Sequence, residues 1–366
     1  MKIKLYKALI VLFLIPTVAC AEGDLKGKYT KQKRVKKEFK VSANDMLKIS
    51  NSYGNIDIVT WNQNRVEIDV IVRTNGNDEE KVEQRLREID VAFNQTSGQV
   101  TARTILEKKN NNNSFWGSLF GGSSSNVNIE INYRVKAPVT NRVDLANDYG
   151  SINLDKLEGD AQISCDYGKI MIGELHGNNN QLDFDYTRNS NIGYVKRAKI
   201  NADYSEFTID EAGTLDLSAD YTDSNILKVE HLSFNNDYGS LKVEKLKNMK
   251  GEGDYLGIKL GLLYGSLNLN MDYGSLVIQK IMPSFKDINI NSDYTGVKLG
   301  YDREAPFSFE IKTAYGGING VNNSNFTVNK RNQSGSDNYY QGYHRTQNTG
   351  GKIYVDSSYG SVSFTD

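Results

Sequence analysis

The chain has 366 residues, of which 38% are hydrophobic, 10% aromatic and 24% charged, with a formal net charge of −1. So even a charge balance excludes the basic footprint of a nucleic-acid binder, and two cysteines exclude a disulfide framework. Only 4 prolines beside 32 glycines suit a β-rich chain with many bends.

In chain order, residues 1–21 read as a secretory signal. Lys2, Lys4 and Lys7 precede an apolar run from Ala8 to Val18, and Ala19-Cys20-Ala21 fits the small-x-small cleavage rule, which starts the mature chain at Glu22. The apolar run is too short to span a membrane. Thr17-Val18-Ala19-Cys20 also reads as a lipidation signal with Thr where Leu is usual. Soluble export and anchoring through Cys20 therefore both stand, with a periplasmic, cell-surface or secreted location. Removing residues 1–21 takes away three lysines and no acids, moving the charge from −1 to −4.

Residues 22–140 form an N-terminal cap region. The basic stretch 26–40 reads as a solvated arm leading into an edge strand, with contact to an anionic surface as the alternative. Residues 46–73 alternate as strands: Leu47 and Ile49, then Ile56 and Ile58, then Val66, Ile68, Val70 and Val72. Residues 77–90 switch to helical spacing through Val82, Leu86 and Ile89. Asn77 is the expected N-cap, acids fill the first turn, and Glu83 with Arg87 makes an i,i+4 pair. Strands follow at 91–95, 99–106 and 127–135. Between the last two lies a low-complexity loop, 110–126, whose centre carries Phe115, Trp116, Leu119 and Phe120. Four such groups either fold back on the core, shielding Trp116, or form a contact surface.

Residues 141–320 carry a recurring Asp-Tyr-Gly/Thr/Ser motif. From Tyr149 to Tyr315 the tyrosines are 18, 19, 18, 17, 17, 17, 18, 21 and 21 residues apart. A fixed period of this size predicts a solenoid: an all-β, single-chain β-solenoid (β-helix) of about ten 17–21-residue coils behind the helix-bearing cap. The residue two before Tyr is often small, as at Cys165, Ala202, Ala219, Gly253, Ser292 and Thr313. Tyr shares the phase of the inward residues, so a stacked tyrosine ladder filling a corner is expected, its hydroxyls reaching the surface. The alternative is an exposed aromatic strip for sugar or peptide stacking. The preceding acids, Asp148, Asp166, Asp185, Asp203, Asp220, Asp237, Asp254, Asp272 and Asp293, form a like-charge column that needs compensation. Each carboxylate is expected to cap its own bend; a column of bound Ca²⁺ is the competing answer. Cys165 lies on the inward phase, as a small core residue.

Residues 321–366 hold a polar insertion up to Gly351, with Tyr339, Tyr340 and Tyr343 as binding candidates, and then a segment 353–364 that can supply the terminal coil. His176, His231 and His344 stand apart, with no zinc spacing, and no nucleophile elbow or phosphate-cradling loop appears.

The layout resembles a bacterial candidate-adhesin family of β-strand-repeat domains of unknown function, exported and of Gram-negative envelope type. The resemblance rests on Ile58-Val59-Thr60-Trp61 followed by Val66-Glu67-Ile68, the 77–90 helix, Tyr133-Arg134-Val135-Lys136-Ala137-Pro138, the array opening at Val143-Asp144-Leu145 and the closing Gly351-Lys352-Ile353. It covers about residues 35–366 and implies a β-solenoid in an envelope or extracellular setting, with no catalytic residue to carry over. The expectation is a non-enzymatic, adhesin-like binding or scaffold protein with no cofactor and no catalytic residues. It would bind an envelope or extracellular protein or glycan. A structural or regulatory envelope protein without external ligand and a glycan-active β-helix enzyme are the alternatives.

Overall fold

A computed structural model describes residues 26–106, 127–322, 324–348 and 350–365. The signal segment, Cys20 and the 110–126 loop with Phe115, Trp116, Leu119 and Phe120 lie outside the described residues. The described residues form 27 β-strands and one α-helix, an all-β chain. No helix among them is long and apolar enough to cross a membrane. The chain divides into two compact units, Met1–Gly159 with Cys165–Gly168 and Asp160–Ser164 with Lys169–Asp366.

In the first unit the basic stretch is not a solvated arm. Tyr29–Lys40 is a strand that runs antiparallel to Arg65–Gly76 along its whole length. Alternation puts its cations where acids meet them. Lys31 pairs with Glu79 at 2.7 Å and Glu83 at 2.8 Å, and Arg34 pairs with Asp69. The strand is thus held by neighbouring acids and a full backbone ladder, which the sequence run of lysines conceals.

The helix is Glu79–Glu88, and its N-cap is Asp78 rather than Asn77: the Asp78 carboxylate accepts the Lys81 N–H at 3.2 Å. The Asn77 side chain instead accepts the Lys28 N–H at 3.1 Å. Both residue types cap well, so the neighbouring chain decides which one does. Val82 is fully buried under the helix, and Glu83 and Arg87 approach at 3.8 Å. Met46–Ser52 lies parallel between Gln99–Leu106 and Arg142–Asp148, and Ile56–Trp61 parallel between Asn128–Pro138 and Ser151–Leu157. The alternation of the sequence sets these faces. Leu47, Ile49, Ile56, Ile152 and Leu145 are buried while their neighbours face out, each worth about 1.5–3 kcal/mol on burial. Cys165 is buried, as its phase requires.

The second unit is built from parallel strands in close register. Ser190–Asn201, Glu206–Ser218, Thr222–Asn235 and Gly239–Asp254 pair side by side, so that Ile192 faces Ile209, Ile209 faces Ile226 and Ile226 faces Val243. Each column is buried. A parallel ladder of this kind needs strands that read identically at a fixed offset, which the recurring motif provides.

At its C-terminal end the order of strands departs from the order of the chain. Gly351–Ser358 inserts between Asp287–Asp293 and Phe307–Ala314, parallel to both. Segment 353–364 is therefore an inner row and not the terminal one. The polar stretch before it is a hairpin: Phe326–Ser334 is antiparallel to Asp337–His344, which is antiparallel to Phe307–Ala314. Phe326–Ser334 is almost wholly exposed and carries Lys330 and Arg331. Charge of that kind on an outer strand discourages edge-to-edge pairing, so this hairpin, rather than the last segment, does the capping expected of a terminal element.

Beneath the hairpin Phe307, Phe326, His344, Tyr301 and Phe364 form an aromatic core, with Phe307 4.9 Å from the His344 ring and 5.8 Å from Tyr301. His344 is fully buried, and its Nδ1–H donates to the Ala305 carbonyl at 2.7 Å. Loss of water pushes its pKa below the ordinary value; the Ala305 bond and Glu304 oppose this, and Arg345 adds to it. Tyr301 is the other titratable group against the ring. A depressed folded pKa favours the neutral ring, so its contribution is complete above the unfolded value near 6.5 and is lost as pH falls through that range. The melting temperature is expected to drop between pH 7.5 and 5.5. His344→Gln, which keeps a donor and does not titrate, should flatten that slope; an identical slope in the variant would count against it.

Candidate functional site

The recurring tyrosines share one backbone state. Tyr186, Tyr204, Tyr221, Tyr238, Tyr255, Tyr273, Tyr294, Tyr315 and Tyr359 of the second unit all have φ between 48° and 55°. In the first unit Tyr53, Tyr149 and Tyr167 have φ of 65°, 58° and 54°. Left-handed backbone costs a non-glycine residue about 1–2 kcal/mol. Its consequence is directional. Extended alternation would send the tyrosine inward, but a left-handed residue turns its side chain back out. The small residues two positions earlier remain inward, and Ala202, Ala219 and Ser292 are buried. The expected ladder exists and the expected burial does not: the second unit's rings are 42–64% exposed.

The bend is held by backbone, not by the ring. The N–H of Tyr204 donates to Asp220 O, that of Tyr221 to Asp237 O and that of Tyr238 to Asp254 O, each at 2.9–3.0 Å. Above this frame the rings lie nearly parallel. Centroid separations run 5.1 Å from Tyr186 to Tyr204, 4.9 Å to Tyr221, 4.8 Å to Tyr238, 4.8 Å to Tyr255, 5.0 Å to Tyr273 and 4.8 Å to Tyr294. The row then passes through Tyr359 at 4.6 Å and ends at Tyr315, a further 4.8 Å on. In the first unit Tyr53, Tyr149 and Tyr167 stack at 5.3 and 5.2 Å. A flat group sliding between two rings would need about 7 Å, twice an aromatic contact distance. The row therefore offers ring edges and hydroxyls, and intercalation of a sugar or base is excluded.

The aspartates are compensated differently from the expected bend cap. The Asp185 carboxylate accepts the backbone N–H of Asp203 at 3.0 Å. Asp203 does the same for Asp220 at 3.2 Å, Asp220 for Asp237 and Asp237 for Asp254 at 2.9 Å, and Asp272 for Asp293 at 3.2 Å. Each of these five carboxylates thus ties one strand to the next, because its own bend already spends its amides on the backbone ladder. Among the described residues no group of three or more His, Cys, Asp or Glu side chains is arranged to hold a metal ion, the Asp148 to Asp293 rows included.

Beside the tyrosines a groove of about 500 Å³ runs along the Asp237, Asp254, Asp272 and Asp293 row. Its other wall holds Asn235, Glu252, Asn270, Asn291 and Asp356, and none of the lining residues is Lys or Arg. Loss of water, then the charges of Asp237, Asp272 and Glu252, push the Asp254 carboxyl above its ordinary pKa. Loss of water and the neighbouring Tyr221 and Tyr255 likewise raise the Tyr238 phenol. The second wall was available to sequence reasoning and missed by it. These residues stand three before each tyrosine, hence on the same face as the aspartates.

Of the insertion tyrosines, Tyr340 is buried while Tyr339 and Tyr343 lie on the opposite, half-exposed face of Asp337–His344. Sequence reasoning grouped the three; strand alternation separates them.

Replacing one ring tests the backbone argument. Tyr221→Ala loses stacking on two sides, about 0.5–1.5 kcal/mol each, and keeps the left-handed backbone cost. Tyr221→Gly loses the same contacts but sheds that cost, so it should be the more stable variant by about 1 kcal/mol. An Ala variant as stable as the Gly variant, by urea unfolding, would refute the strain.

What the fold and site define is an all-β protein with an exposed, acid-flanked aromatic row. No family model matches the chain, and no curated protein matches it. Among solved structures it is similar to a candidate cell adhesion protein from Clostridium sporogenes, with 11% identity and a TM-score of 0.19 over 91% of this chain and 99% of that one. It is similar also to candidate adhesins from Parabacteroides distasonis (12% identity, TM-score 0.34, 74% of this chain and 96% of that one) and Bacteroides fragilis (10%, 0.30, 91% and 97%).

Proposed function

We propose that the chain is an exported, non-enzymatic β-solenoid of the bacterial cell envelope, acting in the manner of an adhesin: it binds a partner along the tyrosine–aspartate face of its second unit. The observation that carries this is the row of nine exposed rings held in left-handed backbone. Glycine would adopt that conformation without cost, and stacking of about 0.5–1.5 kcal/mol per neighbour does little more than offset a backbone cost of about 1–2 kcal/mol. A ladder retained for so small a net gain is explained by what it touches. The parallel strands paired at offsets of 17 to 21 residues support the solenoid form, and the acids, one per strand along a row, suit a repeated surface better than a catalytic pair.

The test is retention of the protein on immobilised bacterial envelope fractions and on a glycan array. The wild type is compared with a Tyr204→Ser, Tyr221→Ser, Tyr238→Ser variant whose folding is checked by circular dichroism. Loss of at least about tenfold in retention, or ~1.4 kcal/mol, is expected. Equal retention removes the row as the binding face. A wild type retained by nothing favours the structural or regulatory scaffold without an external ligand.

A further inference from the structure

The structure assigns a second binding site, on the outer face of the capping hairpin, to an uncharged hexopyranose oligosaccharide. Five strands lie side by side there: Asp287–Asp293, Gly351–Ser358, Phe307–Ala314, Asp337–His344 and Phe326–Ser334. Their register brings two rows of side chains to one face. In the first, Asn289 faces Tyr354, Tyr354 faces Glu310 and Glu310 faces Gln341. In the second, Asp287 faces Lys352, Lys352 faces Ser308 and Ser308 faces Tyr343. Between them is a cleft of about 460 Å³, within the range of small-ligand sites.

Three features identify the ligand class. The first is the pair of aromatic platforms. Tyr343 is flanked on its two neighbouring strands by the short residues Ser308 and Thr327, so its ring stands clear. Among the described residues no hydrogen bond holds its hydroxyl. Tyr354 is fixed in place: Lys312 Nζ donates to its hydroxyl at 3.1 Å, and that hydroxyl donates to Asp356 at 3.1 Å. A phenol offers an apolar face for the C–H side of a pyranose and a polar tip for its hydroxyls.

The second feature is the set of amides. Gln341 and Asn289 flank the platforms with one end of each engaged, Gln341 Oε1 accepting from the Tyr339 hydroxyl at 3.3 Å and Asn289 Nδ2 donating to Asn268 at 2.9 Å, and Gln347 and Asn348 reach the cleft from the loop beyond His344. Asn348 is held at φ 60°, which fixes its presentation. An amide sets a donor and an acceptor side by side, the pattern that adjacent sugar hydroxyls satisfy.

The third feature is charge balance. Asp287 stands opposite Lys352 in register, and Glu310 is neutralised by Lys312 at 3.5 Å. Of the residues lining the cleft only Asp287, Glu310 and Lys352 are charged, so it lacks the run of carboxylates that marks the acidic groove beside the tyrosine row. The site is separate from that row and stands or falls without it.

The test is calorimetric titration of the protein with cellotetraose, maltotetraose and mannotetraose. At least one is expected to bind with a Kd below about 1 mM, and raising NaCl tenfold should change that Kd less than about twofold, since no net charge is paired. Tyr343→Ala should weaken binding about tenfold or more, Tyr343→Phe should keep most of it, and Ser308→Trp, which fills the cleft beside the Tyr343 ring, should abolish it. Circular dichroism confirms the fold of each variant. The Tyr204, Tyr221, Tyr238 triple variant should bind the sugar normally, which separates this site from the tyrosine face. Absence of binding to all three sugars, an unchanged Kd in both Tyr343→Ala and Ser308→Trp, or preference for a charged oligosaccharide such as a hyaluronan fragment would overturn the assignment.

Discussion

Phe307→Ala is expected to lower the unfolding free energy of the second unit by about 3–5 kcal/mol. Phe307 is fully buried and is the centre of the aromatic core. Its ring lies 6.1 Å from Phe285, 5.8 Å from Tyr301, 5.9 Å from Phe326 and Phe364 and 4.9 Å from His344. Apart from Phe285, which sits in the turn before Asp287–Asp293, those neighbours come from separate strands and from the hairpin, so they cannot collapse into the space without breaking their own ladders. The cavity should therefore persist, which puts the cost at the upper part of the range. Chemical denaturation measures it. A loss below about 1.5 kcal/mol, the value for swaps that conserve volume, would mean that the hairpin does not close this core. The effect should also reach the surface. Phe309, adjacent to the same cluster, lines the hairpin cleft, so a loosened core should broaden that cleft's ligand response.

Much of this architecture is legible in the sequence because it depends on local rules. The alternation through Leu47 and Ile49 or Leu215 and Leu217 fixes which side chains enter the core, and the Asp-Tyr-Gly/Thr/Ser period fixes which strands pair. The helix is legible through Val82, although the neighbouring Lys28 decides between two good caps. Three things are not legible. The outward turn of the tyrosines requires left-handed backbone at a residue that rarely adopts it, so propensity points the wrong way. The insertion of Gly351–Ser358 ahead of Phe307–Ala314 is a long-range choice between equivalent parallel partners, which no local pattern encodes. The partner of each of Asp185, Asp203, Asp220, Asp237 and Asp272 lies on the next strand, and local turn chemistry suggests its own bend instead. In the candidate face the tyrosine and aspartate rows were visible, and Asn235, Asn270 and Asn291, each three before a tyrosine, were readable from the same phase although they were overlooked.

Gly360→Ala is expected to be among the most damaging single-methyl changes in the tyrosine row, at about 3 kcal/mol or more. The residue after each tyrosine must pass close to the preceding strand, and the chain solves this in two ways. At Thr187, Ser205, Thr222 and Thr295 the side chain is buried in the corner. The Ser205 hydroxyl oxygen accepts the Thr187 N–H at 3.1 Å, and Thr222 accepts that of Ser205 at 3.0 Å. At Gly316 and Gly360 there is no side chain at all. A Cβ on Gly360 would lie 2.0 Å from the Thr295 carbonyl oxygen and 2.8 Å from the Ser357 hydroxyl, and one on Gly316 1.8 Å from the Gly360 carbonyl oxygen. The first of these contacts is backbone in the middle of a ladder, so relief requires the strands to part. Parting them separates Tyr359 from Tyr294 and Tyr315, now 4.6 and 4.8 Å away. The variant should therefore lose both stability and the near-ultraviolet circular dichroism of the stacked rings. Gly296→Ala is the matched control. It lies two residues after Tyr294, its Cβ would meet nothing within 4 Å, and its backbone is outside the left-handed region. It should be neutral or stabilising by about 0.4–1 kcal/mol through the unfolded chain. Equal melting temperatures for the two variants would show that the corner yields to a methyl group. The close approach of strands that holds the tyrosines in register would then not be what the glycines are for.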